Sequence, residues 1–178
     1  MKLTSLFMPV ASVVFALAIA QPAQAQCAPG WTYYGSHCYT ATQGSSNLAG
    51  AQADAASRGG YLASIGSAAE NAFVWTTFVS LPGNSFWIGL NDIASEGTYV
   101  WDSGEPLVYT NWYPGEPNNS NNEDAVHMIP NGPGGMWNDN NVNAAFYGVI
   151  ETAVVATPEP ASLSLLGLSA MALIRRRK

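Results

Sequence analysis

Basic residues are scarce in this sequence of 178 residues, which contains six Lys and Arg but twelve Asp and Glu. Five of the six basic residues lie within the first two or the last four positions, so residues 27–152 carry Arg58 alone. Eleven acids share that segment and give it a net charge of −10. Nucleic-acid binding is excluded, because it needs a basic patch to neutralise phosphates. An acidic segment of this kind favours hard cations, which prefer oxygen ligands.

The apolar run near the start of the sequence is too short to span a membrane, for which about 20 residues are needed. It covers residues 10–20, follows Lys2 and precedes Ala23-Gln24-Ala25. These three parts are typical of a secretory signal peptide. We predict that residues 1–25 are a signal peptide and that the mature chain begins at Gln26. A membrane anchor is the alternative.

Three features follow one another at the other end: Pro158-Glu159-Pro160, a mostly apolar segment over 161–174, and basic residues at 175–178. This order resembles the PEP-CTERM sorting tail of bacteria that make extracellular polysaccharide. The resemblance implies recognition by an exosortase and only transient contact with the membrane. We assign residues 158–178 to the tail and 153–157 to a linker. A plain tail anchor with a cytoplasmic basic end is the alternative.

Cysteine is also rare, since the chain has only Cys27 and Cys38. The two flank a turn-rich segment, and their spacing suits a short hairpin whose ends meet. Export into an oxidising compartment permits a disulfide. We predict that they pair; two free thiols are the alternative.

Two helices and several short strands are predicted between the end segments. The Ala-rich stretch 45–58 ends at Gly59-Gly60, as a helix that stops at glycine does. Ser67 and Glu70 form a capping-box pattern for a second helix that ends near Leu81. Strand patterns occupy 61–65, 86–90, 99–101, 125–129 and 146–150. The predicted class is α+β.

The region 111–143 is rich in Asn, Pro and Gly and is too long for an ordinary connecting loop. A disordered insert is one interpretation. The presence of Trp112, Trp137 and several acids favours a loop region ordered by packing and by ions instead.

Several motifs now stand in one order: Cys27-x-x-Gly30-Trp31, Trp87-Ile88-Gly89-Leu90, Asn111-Trp112, Glu116-Pro117-Asn118 and Trp137-Asn138-Asp139. Together with the two helices they resemble the C-type lectin domain over residues 26–152. The resemblance implies a C-type lectin-like fold with small antiparallel sheets and a long calcium-ordered loop region. It also implies a cis Glu116-Pro117 bond and one principal Ca²⁺ held by Glu116, Asn118, Glu123, Asn138 and Asp139. Mixed carboxylate and amide oxygens suit that ion.

The same five residues are the predicted carbohydrate-binding residues. The resemblance implies that two neighbouring sugar hydroxyls bind the ion, donate hydrogen bonds to carboxylates and accept them from amide groups. Glu followed by Asn in this motif implies a preference for mannose, glucose, N-acetylglucosamine or fucose over galactose.

Other acids divide into two groups. Positions where many members of the family hold an auxiliary Ca²⁺ correspond to Asp92, Glu96, Asn119 and Asp124, with Glu123 shared between the two ions. We interpret Asp102 and Glu105 as solvated surface carboxylates. His37 and His127 have no partners at metal-ligand spacing and are interpreted as ordinary hairpin and strand residues.

The two core disulfides of the family are absent. Their positions correspond to Ala55 with Ile150 and to Ala125 with Val142. Apolar replacement at all four positions predicts a repacked core. Losing a disulfide typically costs about 2–5 kcal/mol, so we expect bound calcium to replace part of the lost constraint.

These features predict a calcium-dependent carbohydrate-binding protein that is exported to the cell surface or the exopolysaccharide matrix. Its expected ligand is an extracellular or cell-wall polysaccharide. The alternative is a lectin-like protein-binding or matrix-structural module in which calcium only orders the loops. An enzyme is not predicted, because both cysteines are expected to be bonded and no Ser/His/Asp order is apparent.

Overall fold

The computed structural model describes residues 27–131 and 133–154, so the predicted signal peptide and sorting tail lie outside the described residues. The described chain begins with a hairpin formed by β1 (Thr32–Tyr34) and β2 (His37–Ala41). A disulfide joins Cys27, which precedes β1, to Cys38 in β2. The predicted pairing of the two cysteines is therefore confirmed.

Helix α1 (Leu48–Ser57) lies within the predicted stretch and begins three residues later than the pattern suggested. Asn47 is the reason, because its side-chain oxygen accepts a hydrogen bond from the Gly50 N–H (3.0 Å from N to O) and caps the helix. Gly59 follows the helix with φ of +75°, a conformation that favours glycine.

Helix α2 (Ala68–Phe78) begins after Ser67, whose hydroxyl accepts from the Glu70 N–H (3.2 Å from N to O). The Glu70 carboxylate makes different contacts from those of a full capping box. It accepts from the Gly66 N–H (2.8 Å) and from the Tyr39 hydroxyl (2.7 Å), which ties α2 to β2. Neither helix of the described chain is long and apolar enough to span a membrane.

The remaining strands are β3 (Tyr61–Leu62), β4 (Phe86–Asn91), β5 (Val100–Trp101), β6 (Ala125–Ile129), β7 (Met136–Asn140) and β8 (Tyr147–Ala153). With the hairpin they form a mixed sheet in the order β1-β2-β8-β4-β6-β7. Two short strands pair beside this path, β3 with β8 and β5 with β4, and the β4–β8 pairing is parallel. All five predicted strands are present, and β7 was not predicted. The α+β class is confirmed.

The Asn-rich region is ordered by its packing against β7. The Trp137 N–H donates to the Asn111 carbonyl and the Tyr113 N–H donates to the Trp137 carbonyl, each at 2.8 Å. The Trp112 and Trp137 rings meet edge to face at 5.8 Å. The region that precedes β6 is thereby attached to the edge of the sheet.

The core positions left without cysteines are packed with apolar side chains. Ala55, Ala125 and Ile150 are fully buried in one hydrophobic cluster, against which Val142 packs. The expectation of a repacked core is therefore met.

Candidate functional site

The carboxylate of Asp139 forms the centre of the predicted site. Asp139 lies on β7, is 0% exposed and accepts from the backbone N–H groups of Asn118 (3.2 Å) and Asn119 (2.8 Å). The Tyr99 hydroxyl donates to the same carboxylate from 3.4 Å. These contacts fix the segment that carries Glu116 and Asn118 above the end of the sheet.

Glu116 faces Asp139 and Glu123. One oxygen of Glu116, Oε2, is buried and has no hydrogen-bond partner in the described chain. Burial raises the pKa of Glu116, with further increases from Asp139 and Glu123 and a decrease from the Asn118 side chain. The Glu116-Pro117 bond is cis, as predicted.

Asn118 and Glu123 are held together by one backbone donor. The Ser120 N–H lies 2.8 Å from Asn118 Oδ1 and 3.0 Å from Glu123 Oε2. The turn passes through left-handed backbone at Asn119 and Asn121, with φ of 48° and 62°. Asparagine tolerates that conformation well, which explains the local composition.

Asn138 is oriented by a buried histidine. In the β6–β7 pairing, Asn138 lies directly opposite His127, and its Nδ2 is 3.2 Å from His127 Nε2. Burial lowers the pKa of His127 to about 4, so the imidazole is neutral at pH 7 and can accept a hydrogen bond. His127 thus supports a predicted ligand, a role that its position in the sequence did not reveal.

The residues predicted for the auxiliary ion also lie close together. Asp92 is 1% exposed, accepts from the Gly97 N–H through Oδ2 (2.8 Å) and has no partner for Oδ1 in the described chain. Its own N–H donates to the Asp124 carbonyl at 3.2 Å. The pKa of Glu96 is raised by loss of solvent and by repulsion from Asp92, Asp124 and Asp139. Asn119 Oδ1 accepts from the Glu123 N–H (2.7 Å) and so links this group to the first.

Within residues 27–131 and 133–154, no basic residue is available to neutralise these acids. Arg58, the only Lys or Arg between residues 27 and 152, is paired with Asp54 on α1 (3.0 Å). Two buried oxygens without partners, on Glu116 and Asp92, are left among mutually repelling carboxylates. A hard divalent cation with oxygen ligands fits this donor set.

Asp102 is not the solvated carboxylate that was predicted. It is half-buried and accepts from Gln52 Nε2 (3.0 Å) and Asn91 Nδ2 (2.9 Å), and burial raises its pKa. The prediction was wrong because both amide partners lie on other elements of the fold, Gln52 on α1 and Asn91 on β4.

His37 lies on β2 of the hairpin and Glu105 is exposed, as interpreted, but His37 has partners that the sequence did not reveal. His37 Nδ1 lies 3.2 Å from Glu151 Oε1, and the Glu105 carboxylate completes a cluster whose ligand atoms lie within 4.8 Å of one another. Burial raises the pKa of Glu151 to about 7 and outweighs the lowering effects of the Ser64 N–H and His37, while Glu70 and Glu105 add smaller increases. The pairing of β2 with β8 brings His37 and Glu151 together, and the segment after β5 adds Glu105, so their spacing in the sequence gave no signal.

Asn71 is a further supporting residue that was not predicted. It is 3% exposed on α2, and its Nδ2 donates to the carbonyls of Gly134 (2.8 Å) and Gly135 (3.2 Å). Its Oδ1 accepts from Trp137 Nε1 at 2.8 Å. Asn71 therefore fixes the start of β7, which carries Asn138 and Asp139.

We predict that Asn71→Ala lowers the free energy of unfolding by about 1–3 kcal/mol, because it leaves buried polar groups without partners. Affinity for the predicted calcium ion should fall as well, since β7 loses its anchor. Urea unfolding and calcium titration measure the two effects. Thr76→Ala on the same helix is the matched control and should change stability by less than about 0.5 kcal/mol. Equal effects of the two variants would contradict the anchoring role.

Two helices, a mixed sheet and a long ordered loop region at its edge define the C-type lectin-like class of α+β folds. Residues 44–149 match the family model described as "Lectin C-type domain". The chain belongs to the C-type lectin family, whose members are binding proteins and not enzymes, and residues 44–149 form a C-type lectin carbohydrate-binding domain. Residues 156–178 match the PEP-CTERM protein-sorting motif, which implies export, exosortase processing and cell-surface sorting.

Three similar proteins illustrate the relationship. Lectin BRA-3 of Megabalanus rosa is 40% identical over 136 residues, which cover 74% of this chain and 80% of that lectin. The C-type lectin CEL-I of Cucumaria echinata superposes with a TM-score of 0.69 and 31% identity, covering 73% of this chain and 99% of CEL-I. The carbohydrate-recognition domain of cow CD23, solved in the presence of GlcNAc2Man3 oligosaccharide, gives a TM-score of 0.67 and 30% identity over 74% of this chain and 99% of that chain.

Proposed function

We propose that this protein binds carbohydrate through a calcium ion held by Glu116, Asn118, Glu123, Asn138 and Asp139. The observation that carries the proposal is the buried, unpartnered Glu116 Oε2, which faces Asp139 and Glu123 with no basic residue beside it in the described part of the chain. An anionic group in that position costs free energy unless a cation binds beside it. A second ion at Asp92, Glu96, Asn119, Glu123 and Asp124 is part of the proposal, supported by the unpartnered Asp92 Oδ1.

The acids and amides of the site match the hydrogen-bonding capacity of a sugar diol. Bound calcium would coordinate two neighbouring hydroxyls. The carboxylates of Glu116 and Glu123 accept hydrogen bonds, while the side-chain amides of Asn118 and Asn138 donate them. Each hydroxyl both donates and accepts, so one acid and one amide satisfy it completely.

The proposed sugar class is mannose, glucose, N-acetylglucosamine or fucose, on the basis of Glu116 preceding Asn118 in the loop. One sugar in such an open site binds weakly, with a dissociation constant on the order of millimolar, or about −4 kcal/mol. Useful affinity then requires several sites on one surface. Sorting to the cell surface makes an extracellular or cell-wall polysaccharide, with its repeated sugars, a suitable ligand, at the envelope or in the exopolysaccharide matrix.

A glycan array with the purified full chain tests the proposal. We expect binding to mannose-type glycans in calcium and none in a chelator. Asn118→Asp replaces an amide donor with an acid, so it should abolish the signal. Asn143→Asp adds the same charge at an exposed position of a neighbouring loop and should leave binding intact.

Two results would contradict the proposal. One is glycan binding that survives chelation. The other is absence of any glycan signal while calcium is demonstrably bound, which would favour a protein-binding or matrix-structural module whose loops are ordered by the ion.

A further inference from the structure

Three side chains of types that can ligate a metal meet beside the pairing of β2 with β8, apart from the acid-rich loops that carry Asp92, Glu96, Glu116, Glu123 and Asp124. His37 Nδ1 is 3.2 Å from Glu151 Oε1, and with the Glu105 carboxylate these ligand atoms lie within 4.8 Å of one another. We propose that His37, Glu105 and Glu151 form a separate metal site, distinct from the calcium sites, for a divalent transition-metal ion of the zinc class.

The donor set determines the class of ion. Imidazole nitrogen with two carboxylates suits zinc and similar ions, whereas calcium prefers oxygen ligands alone. Zinc ligands lie about 2.0–2.2 Å from the ion and therefore roughly 3–4 Å from one another. His37 and Glu151 already have that separation. Glu105 is exposed and can close the remaining distance by a side-chain rotation.

Neighbouring groups hold the central ligand in place. Glu151 is 7% exposed, and its Oε2 accepts from the Ser64 N–H at 2.8 Å. The Tyr39 hydroxyl lies 3.2 Å from its Oε1 and 2.7 Å from Glu70 Oε1. Fixed orientation of a ligand by hydrogen bonds of this kind is a regular feature of metal sites.

The segment that carries Glu105 is fixed in the same way. Ser103 Oγ lies 2.7 Å from Ser64 Oγ, and the Glu105 N–H donates to Ser103 Oγ at 3.2 Å. Two ligand-bearing segments therefore share the neighbouring residues Ser64 and Ser103. Hydrogen bonds therefore hold both ligand-bearing segments in place, although the ligands are separated by 68 and 46 positions in the sequence.

Charge and space also favour a cation here. The buried Glu151 lies near Glu70 and Glu105, and Arg58 is occupied by Asp54. A cavity of about 180 Å³ adjoins the cluster and is lined by Tyr61 and Ser103 as well as the three ligands. It has room for water molecules that would complete the coordination shell. Such an ion would join the N-terminal hairpin, the last strand and the segment after β5.

Zinc titration calorimetry of the full chain without a histidine tag, in excess calcium, tests this site. Under the proposed function, excess calcium fills the sites in the acid-rich loops. The heat of zinc binding therefore reports on the cluster of His37, Glu105 and Glu151. We expect the native chain to bind one zinc ion and to give a measurable heat of binding. His37→Gln and Glu105→Gln change side chains that are not fully buried and should each weaken zinc binding by at least about tenfold. Glu96→Gln, which removes an exposed acid from the other cluster, should leave it unchanged.

Cobalt substitution gives an independent readout of imidazole coordination. The visible absorption of the cobalt-loaded native chain should change in His37→Gln and persist in Glu96→Gln. The proposal is overturned if the native chain binds no zinc in calcium. It is also overturned if His37→Gln and Glu105→Gln bind zinc as the native chain does, or if Glu96→Gln alone loses it.

Discussion

Chelation of calcium is expected to lower the melting temperature of this protein by about 10–20 °C. An ion present at about a thousand times its dissociation constant stabilises the folded state by about 4 kcal/mol, which corresponds to a shift of this size in a domain of this length. Thermal melts in calcium and in a chelator measure the shift, and magnesium at equal ionic strength is the control.

The expected shift is large because calcium would act where covalent links are missing. Ala125 and Val142 occupy positions of a disulfide in the family, and Ala125 directly follows Asp124 in the chain. Val142 lies three residues beyond Asp139. Asp124 and Asp139 therefore lie beside an unlinked part of the core, where only packing opposes the mutual repulsion of the carboxylates. Coincident melts in calcium and chelator would show that packing alone is sufficient.

Features that depend on local sequence were predicted well. Ser67 caps α2 and β6 has the predicted bounds, because a cap and an apolar run are determined by neighbouring residues. Strand β7 was missed because it depends on a partner strand and not on its own local sequence. Its Asn138, Asp139 and Asn140 resemble loop residues, and only pairing with β6 makes them a strand.

The candidate site likewise combines residues that the sequence identified with residues that only the fold identified. The resemblance named Asp139 as a ligand, and its hydrogen bonds in the structure show that it also anchors the Asn118 and Asn119 backbone. Asn71 and His127 could not be identified, because their partners come from a different helix or strand. These contacts depend on which elements pack together in the fold, and the pattern of a single sequence does not contain that information.

Asp139→Asn is expected to weaken calcium binding by at least about 100-fold, on the order of 3 kcal/mol. The substitution keeps the size of the side chain but removes the charge that the cation requires, and it replaces one acceptor oxygen with an amide donor. That donor would face the backbone N–H groups of Asn118 and Asn119. Calcium titration followed by calorimetry measures the loss.

Asp102→Asn is the matched control, because it also removes a carboxylate that is shielded from solvent and accepts side-chain hydrogen bonds. Its partners Gln52 and Asn91 lie outside the proposed ligand set, so stability should fall by about 1–3 kcal/mol equally with and without calcium, and calcium affinity should not change. The Asp139 variant should lose stability with and without calcium, because two backbone donors lose an acceptor, and the loss should be larger when calcium is present. If both variants lose calcium affinity alike, the loss reflects general destabilisation. If Asp139→Asn binds calcium like the native chain, the ion is not held at Asp139 and the proposed sugar site is wrong.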